Sequence, residues 1–317
     1  MVMAQSLFIT LKNSLPECQI YVLAPAWSLS LLERMPEVTK AIAMPLSHGQ
    51  FGFLDRVKLG KSLRANHYDQ AILLPNSWKS ALTPFVANIP VRTGYIGECR
   101  WGLLNDARKL DKSVLTMTVQ RFVALGLPTA VSLPPECPVP KIVIKQDQQA
   151  RVIEKFELSG LDNILALCPG AEYGEAKRWP ANYYADVAQQ KMADGWQVWL
   201  FGSEKDKAIA EQINKQVAGA CVDFTGRTSL AEAVDLMSLV DVVVTNDSGL
   251  MHVAAALDRK IIALYGSSDP DFTPPLNDKT HIISLKLACS PCFKRECPLS
   301  HTRCLTDIKP EQVLNFI

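Results

Sequence analysis

Polar turns in the second half of the sequence carry the residue types that phosphate binding requires. The most informative is TNDSGLMHV, in which Asp247 or Ser248 can cap a helix that begins at Gly249. The start of a helix offers free N–H groups to an anion such as a pyrophosphate, and a glycine lets the anion approach the backbone. His252 lies one helical turn beyond Ser248, so it should point to the same mouth.

Two further turns have a related composition. CPGAEYGEAKRWP, residues 168–180, is glycine-rich and supplies Lys177 and Arg178, and FGSEKD, residues 201–206, places Glu204 at a helix start. Taken singly, a helix cap, a pair of solvated cations and an N-terminal carboxylate explain these residues without any ligand. Because each turn follows a strand-like run of one predicted sheet, the turns should share one rim. Together they predict a site for a phosphate-bearing ligand, with Lys177 as its charge partner.

Short apolar strands alternate with helical segments along both halves of the chain, which predicts an α/β fold with parallel sheets covered by helices. LPPECPVP, residues 133–140, has four prolines in eight residues and predicts an interdomain connection. We therefore expect two Rossmann-like, doubly wound domains, residues 1–140 and 141–317, that face each other across a cleft. Ligands of such domains bind beyond the carboxyl ends of the strands.

The overall composition excludes several classes of function. The chain has 317 residues, 48% of them hydrophobic, and a net charge of +1, so no global field attracts nucleic acid or acidic membranes. No apolar run reaches the length of a transmembrane helix. The odd count of 9 cysteines fits reduced thiols, and hence a cytoplasmic protein, better than a disulfide framework.

At the polar turns the sequence resembles a known family. CPGAEYGEAKRWP, FGSEKD, TNDSGLMHVAAAL and ALYGSSDPDFTPP look like the lipopolysaccharide heptosyltransferases of glycosyltransferase family 9, and APAWSLSLLERMPEV, MPLSHG, LPNSWKSALTPF and RTGYIGECRWGLLND extend the resemblance into the first half. It implies a GT-B fold and inverting transfer of L-glycero-D-manno-heptose from ADP-heptose to a heptosyl-Kdo-lipid A core in a Gram-negative bacterium. No cofactor is then required, and the location would be peripheral to the inner face of the inner membrane.

The resemblance also assigns roles in the C-terminal, ADP-heptose-binding domain. The implied donor contacts are Lys177, Glu204, Asp247, Ser248, Gly249 and His252. Lys177 would contact the donor phosphates and stabilise the leaving group, and Glu204 would hold the adenosine ribose. The segment from Asp247 to Gly249 would lie at the diphosphate and heptose, with His252 beside it.

The first domain would bind the anionic acceptor, and it contains a local excess of basic residues. Between Phe51 and Lys109 there are 9 Lys and Arg against 4 Asp and Glu, a balance of +5 in a chain that totals +1. A solvated basic face is the ordinary explanation for such an excess. With the resemblance, the candidates for Kdo carboxylates and lipid A phosphates are Lys61, Arg64, Lys79, Arg92 and Arg100.

One feature of the family does not match. The family begins with a strand and a Gly-rich turn whose aspartate is the expected general base, followed by the helix that here starts near Met3. The sequence begins at Met1, inside or just after that turn, so strand and aspartate are expected to be missing. Either the true start lies upstream, or this is a truncated product that keeps the donor contacts. As written, the chain is expected to transfer heptose poorly or not at all.

A cysteine cluster lies near the C-terminus, in CSPCFKRECPLSHTRC, before a final helix. Its thiols, Cys289, Cys292, Cys297 and Cys304, could close a tetrahedral zinc site, although the spacings after Cys-x2-Cys are shorter than in most zinc ribbons. The alternative is a compact loop of reduced, partly buried thiols. Similar cysteines occur within the family, which does not distinguish the two.

The sequence is also compatible with three other functions. A related GT-B enzyme could use another nucleotide sugar, a donor-binding protein could lack turnover, and a nucleotide-sugar epimerase also uses paired Rossmann domains. Turnover of the nucleotide sugar without an acceptor would indicate the epimerase. Binding of the donor without transfer would indicate the donor-binding protein.

Overall fold

The computed structural model describes residues 1–46 and 49–317. Ser47 and His48, which belong to the MPLSHG motif, lie outside the described residues. The chain divides into two compact units, the first comprising Met1 and Met3–Pro138 and the second Val2 and Val139–Ile317. The division falls inside the proline-rich segment of residues 133–140.

The first unit, called the N-terminal unit below, contains parallel strands and helices. Its helices are α1 (Gln5–Ser14), α2 (Leu29–Leu32), α3 (Phe53–Leu63), α4 (Trp78–Val86) and α5 (Thr118–Gly126). Its strands are β1 (Ile20–Pro25), β2 (Val38–Met44), β3 (Gln70–Leu73), β4 (Val91–Tyr95) and β5 (Asp106–Arg108). Strands β1 and β2 form one parallel pair, and β3, β4 and β5 form a separate parallel sheet in that order.

The second unit, called the C-terminal unit below, contains one six-stranded parallel sheet. Its strands are β6 (Ile164–Cys168), β7 (Gln197–Leu200), β8 (Val222–Asp223), β9 (Val242–Asn246), β10 (Lys260–Leu264) and β11 (Thr280–Ile283). Its helices are α6 (Gln146–Lys155), α7 (Ala181–Ala193), α8 (Lys207–Gln216), α9 (Leu230–Met237), α10 (Gly249–Ala256), α11 (Arg303–Thr306) and α12 (Pro310–Leu314). The parallel α/β fold expected from the sequence is confirmed.

The strand order of this sheet, β11-β10-β9-β6-β7-β8, determines where a ligand can bind. The chain starts in the middle at β6, runs outward through β7 to β8, and returns to the other side of β6 with β9. The strand order therefore reverses between β6 and β9. In doubly wound sheets the crevice at the carboxyl ends of these two strands is the preferred ligand site.

The core of the C-terminal unit fixes these strand ends. Strands β6 and β9 are buried along their whole length, as expected for apolar strands with helices on both faces. The ring of Trp179 is fully buried just before α7, and its Nε1 donates to the Ile308 carbonyl at 2.9 Å. This bond ties the turn after β6 to the start of the final helix. In residues 1–46 and 49–317 no helix is long and apolar enough to cross a membrane.

Candidate functional site

The polar turns predicted from the sequence meet at one edge of the C-terminal sheet. The turn with Lys177 follows β6, the turn with Glu204 follows β7, and Asp247 and Ser248 follow β9. Strand β6 pairs in parallel with both of its neighbours, β7 and β9, so the three turns lie side by side. The prediction of a shared rim is confirmed.

Lys177 and Asp247 form an ion pair across the β6–β9 crevice. Lys177 Nζ lies 2.5 Å from Asp247 Oδ2, and their side chains are 17% and 8% exposed. The same ammonium lies 5.1 Å from the centre of the Tyr173 ring, within the range of a cation–π interaction. A lysine that is paired but still reachable at the mouth of the crevice can turn its remaining N–H groups to an anionic ligand.

Asn246, which was not singled out from the sequence, holds the two turns together. Its Oδ1 accepts the Trp179 N–H at 3.0 Å and its Nδ2 donates to the Pro169 carbonyl at 2.8 Å. The side chain is fully buried. The sequence could have indicated this role, because Asn246 is an amide at the last position of a mostly apolar strand, and a buried polar group there must have hydrogen-bond partners.

The start of α10 has the properties of an anion site. Ser248 is the N-cap, and its hydroxyl accepts the Met251 N–H at 3.4 Å. Within the described residues this leaves the N–H groups of Gly249 and Leu250 open to a ligand. A Cβ atom on Gly249 would have no neighbour within 4 Å, so the space in front of the helix is open. Asp247 is paired to Lys177 instead of capping the helix.

His252 lies one turn further along α10 and is partly buried. Burial lowers the pKa of His252 to about 4, the Asp247 carboxylate opposes this, and the Lys177 ammonium adds to it. The imidazole is therefore neutral at pH 7, with one N–H donor and one acceptor nitrogen. In this form it can bind a hydroxyl or a phosphate oxygen without adding charge.

The turn after β7 carries two carboxylates with different surroundings. Glu204 is exposed and pairs with Lys207 at 2.8 Å, so it is accessible at the rim. Asp206 is buried, and its Oδ2 accepts the Ser203 N–H and hydroxyl at 2.9 and 2.7 Å. A Cβ on Gly170 would lie 2.5 Å from the Asp206 carboxyl carbon, so the glycine lets the turn after β6 approach. The Ser-x-x-Asp spacing was the signal for this cap.

The cysteine-rich segment, residues 289–304, supports the Lys177 turn. The Ala176 N–H donates to the Arg295 carbonyl at 3.0 Å, and the Tyr173 hydroxyl donates to the Phe293 carbonyl at 2.8 Å. A Cβ on Gly174 would lie only 2.4 Å from the Arg295 carbonyl oxygen. The segment therefore holds the turn that presents Lys177, a role that its cysteine spacing did not indicate.

The zinc site predicted for this segment stays a prediction. All nine cysteines of the chain are free thiols. Burial raises the pKa of Cys304, and the nearby Cys289, Cys292 and Cys297 raise it further, so the thiols are neighbours. In residues 1–46 and 49–317, however, no group of three or more His, Cys, Asp or Glu side chains is arranged to hold a metal ion. We therefore assign no chemistry to a metal.

Two of the acceptor candidates in the N-terminal unit have structural partners. Arg100 is 3% exposed, and its guanidinium donates to the Pro75 and Tyr95 carbonyls, so its prediction as an acceptor contact is not supported. Arg92 donates to the Leu103 and Ile89 carbonyls at 2.7 and 2.5 Å. Sequence reasoning counted both as surface charge because it could not show which carbonyls surround them.

The other acceptor candidates are more accessible. Lys61 is exposed, Arg64 is exposed with its Nε donating to the Val86 carbonyl at 2.8 Å, and Lys79 is partly buried. A basin of about 700 Å³ lies after the carboxyl ends of β3, β4 and β5, and Lys109 and Lys112 line it. These two cations were not chosen from the sequence, although they follow β5 closely.

Comparison with known proteins gives consistent matches. The family model of glycosyltransferase family 9 (heptosyltransferase) matches residues 56–303. Lipopolysaccharide heptosyltransferase 2 of Salmonella typhimurium is 47% identical, over 99% of this chain and 93% of that protein. Lipooligosaccharide heptosyltransferase 2 of Haemophilus influenzae is 49% identical, over 90% of this chain and 85% of that protein. The solved structure of Escherichia coli ADP-heptose LPS heptosyltransferase II has a TM-score of 0.88 and 43% identity, covering 100% of this chain and 93% of that one.

Proposed function

The chain belongs to glycosyltransferase family 9, the heptosyltransferase family, and we propose that it transfers a heptose from ADP-heptose to the heptosyl-Kdo-lipid A inner core of lipopolysaccharide. Relatives named lipopolysaccharide heptosyltransferase 2 match it over 99% of its length. The same matches support a glycosyltransferase rather than an epimerase.

The Lys177–Asp247 pair at the β6–β9 crevice, beside the open start of α10, is the observation that carries this proposal. A diphosphate needs a cation and free N–H groups within one small site, and both are present there. Glu204 stands at the neighbouring strand end, where a ribose hydroxyl could reach it. We assign Lys177, Ser248 and Gly249 to the diphosphate and His252 to the heptose side.

The proposed reaction is an inverting displacement. The acceptor hydroxyl oxygen forms a bond to the anomeric carbon while the bond from that carbon to the ADP oxygen breaks, and the hydroxyl proton passes to solvent water. Negative charge grows on the departing diphosphate, and the oxocarbenium-like centre carries positive charge. Lys177 and the N–H groups of Gly249 and Leu250 would stabilise the departing ADP.

We assign the anionic acceptor to the N-terminal unit. Its accessible cations include Lys61, Arg64, Lys109 and Lys112, and Lys79 is partly buried. Lys109 and Lys112 line the basin at the carboxyl ends of parallel strands, the usual place for a ligand in such sheets. Because the acceptor is a lipid, we further propose that the protein acts as a peripheral protein at the inner face of the inner membrane.

A transfer assay tests the function. The purified protein is incubated with ADP-heptose and dispersed heptosyl-Kdo-lipid A, and the product is analysed by mass spectrometry. The proposal expects an acceptor heavier by one heptosyl residue, together with ADP. ADP-heptose binding without any transfer would indicate a donor-binding form without turnover. Transfer from a different nucleotide sugar, or its turnover without an acceptor, would contradict the proposal.

A further inference from the structure

Exposed apolar side chains cluster at the start of α3 in the N-terminal unit. Phe51, Phe53 and Leu54 are 52%, 46% and 69% exposed, although side chains of this kind are usually buried. The Phe51 ring stacks on Phe53 with centroids 6.2 Å apart and on Trp78 with centroids 6.0 Å apart. We call these four residues the aromatic cap.

The aromatic cap is held in place from below. The guanidinium of Arg56, which is buried, donates to the Phe51 carbonyl at 2.7 Å and to the Lys79 carbonyl at 3.3 Å. Gly60 lets α3 approach α4 closely, because a Cβ there would lie 2.8 Å from the Thr83 carbonyl oxygen. Phe53 and Leu54 therefore project from a helix that packs closely on α4, and the hydrogen bond from Arg56 holds the Phe51 backbone just before that helix.

Cations follow the cap along the same face of α3. Leu54, Lys58 and Lys61 are spaced i, i+4 and i+7, which places them on one side of the helix, and all three are exposed. Lys61 lies about 10 Å further along the axis than Leu54 at the usual helical rise. Asp55 is also exposed and is i, i+3 to Lys58, so it offsets one of the two lysine charges and leaves this face with a net charge of about +1.

We propose that the aromatic cap docks on an anionic lipid bilayer, with Phe51, Phe53 and Leu54 entering the boundary between headgroups and acyl chains. Apolar and aromatic side chains at the start of α3, with lysines about 6 and 10 Å further along the helix, match the order of acyl chains and phosphates at a bilayer surface. The inference deepens the proposed peripheral location by naming the surface that makes the contact.

The binding partner in the test is a vesicle that contains neither acceptor nor donor, so its result does not depend on heptose transfer. The intact chain is mixed with vesicles of phosphatidylcholine alone, or with phosphatidylglycerol in equal parts, and the bound fraction is measured by flotation. We expect binding to the anionic vesicles and much weaker binding to the neutral ones. Each variant must keep the unfolding temperature of the unchanged chain, which excludes loss of fold as the cause of weaker binding.

Two variants separate the apolar and the electrostatic contributions. Phe53→Ser with Leu54→Ser should lower the partition onto anionic vesicles at least about tenfold. Lys58→Gln with Lys61→Gln should lower it about thirtyfold. Matched controls remove exposed side chains elsewhere, namely Leu133→Ser with Val143→Ser, and Lys215→Gln, and should bind as the unchanged chain does.

The proposal is overturned if the unchanged chain does not bind anionic vesicles, or if the Phe53 and Leu54 variant binds them equally well. It is also overturned if the controls weaken binding as much as the cap variant, since exposed apolar surface in general would then explain it. A dimer in solution that the cap variant dissociates, without vesicle binding, would overturn it too and would identify the cap as a contact between copies.

Discussion

At the scale of single residues, the site depends on a lysine and an aspartate that neutralise each other until a ligand arrives. Asp247 is almost fully buried, and the ammonium of Lys177 is its partner at 2.5 Å. The low exposure of Asp247 makes the pair matter for folding as well as for binding, because a buried carboxylate without a partner is costly. The two contributions can be separated by substitution.

Lys177→Met should lower the free energy of unfolding by about 1–3 kcal/mol, less than for a wholly buried pair because Lys177 keeps some exposure. Adding Asp247→Asn should restore most of this loss, since the neutral amide no longer needs a cation. Urea unfolding of the unchanged chain, the single variant and the double variant measures these free energies of unfolding. Equal stability of the single and the double variant would show that the pair does not contribute in this way.

His252 should make the protein sensitive to mild acid. Its folded pKa is about 4, whereas an unfolded histidine titrates near 6.5, so the unfolded chain binds the proton first. The stability that the neutral imidazole contributes is therefore complete above about pH 6.5 and is lost as the pH falls towards 4. His252→Gln should show a smaller decline in unfolding temperature over this window.

The control for that measurement is His67→Asn, which changes an exposed histidine and should leave the acid sensitivity as it is. Residue 67 has a positive φ of 50°, which asparagine tolerates. If His252→Gln and His67→Asn decline alike, the burial of His252 is not the cause.

The residues of the site were partly predictable. Lys177, Asp247, Ser248 and Gly249 follow strand ends, and the rule that parallel strands share their carboxyl edge was enough to group them. The burial of Arg100 was not predictable, because its partners are backbone carbonyls at Pro75 and Tyr95, which no charge pattern reveals. Charge counting treats a buried arginine and a solvated one alike.

At the scale of elements, the start of α10 is the part of the fold that a diphosphate would contact. A Cβ atom on Gly249 would meet nothing within 4 Å, and the φ of Gly249 is not positive, so folding alone does not require glycine there. The open space is useful only if a ligand enters it.

Gly249→Ala should therefore leave the unfolding temperature unchanged or slightly raised, since alanine favours helix. It should weaken the binding of ADP, because the added methyl group occupies the space of the phosphate. Thermal unfolding and calorimetric titration of the same preparation provide both readings. Unchanged ADP affinity would mean that the diphosphate lies elsewhere.

The cysteine-rich segment should act on the site through Gly174. Gly174→Ala forces a Cβ onto the Arg295 backbone and should displace the segment from the Lys177 turn, lowering both stability and ADP affinity. Gly219→Ala is the matched control, since Gly219 has a positive φ of 78° but nothing within 4 Å. Equal losses of ADP affinity in the two variants would show that the contact with Arg295 does not support the site.

Elements with mixed composition escaped prediction. Strand β4, with the sequence VRTGY, and helix α6, with QDQQARVIEK, have too few apolar residues in a regular period to be recognised. Strand β11 was not predicted either. It lies at the edge of its sheet and pairs only with β10. By contrast, β6 and β9 were predictable because strands buried on both faces are continuous apolar runs.

At the scale of the whole chain, charged and exposed apolar side chains are concentrated in local clusters. The net charge of +1 does not reveal these clusters. The cations of the N-terminal unit divide into buried ones that bind carbonyls, such as Arg56, and exposed ones such as Lys58 and Lys61. Only the second kind can contact an anionic acceptor or a bilayer. The composition could not separate the two kinds, because the separation depends on tertiary packing.

A nucleotide diphosphate should bind at the β6–β9 crevice, and calorimetric titration with ADP can measure this binding. We predict that the unchanged chain binds ADP and that Lys177→Met with Asp247→Asn, which should keep most of the stability, binds it about tenfold to a hundredfold more weakly. Lys215→Gln, which removes an exposed lysine of the same unit, should bind ADP as before. Undiminished ADP binding by the double variant would contradict the claim.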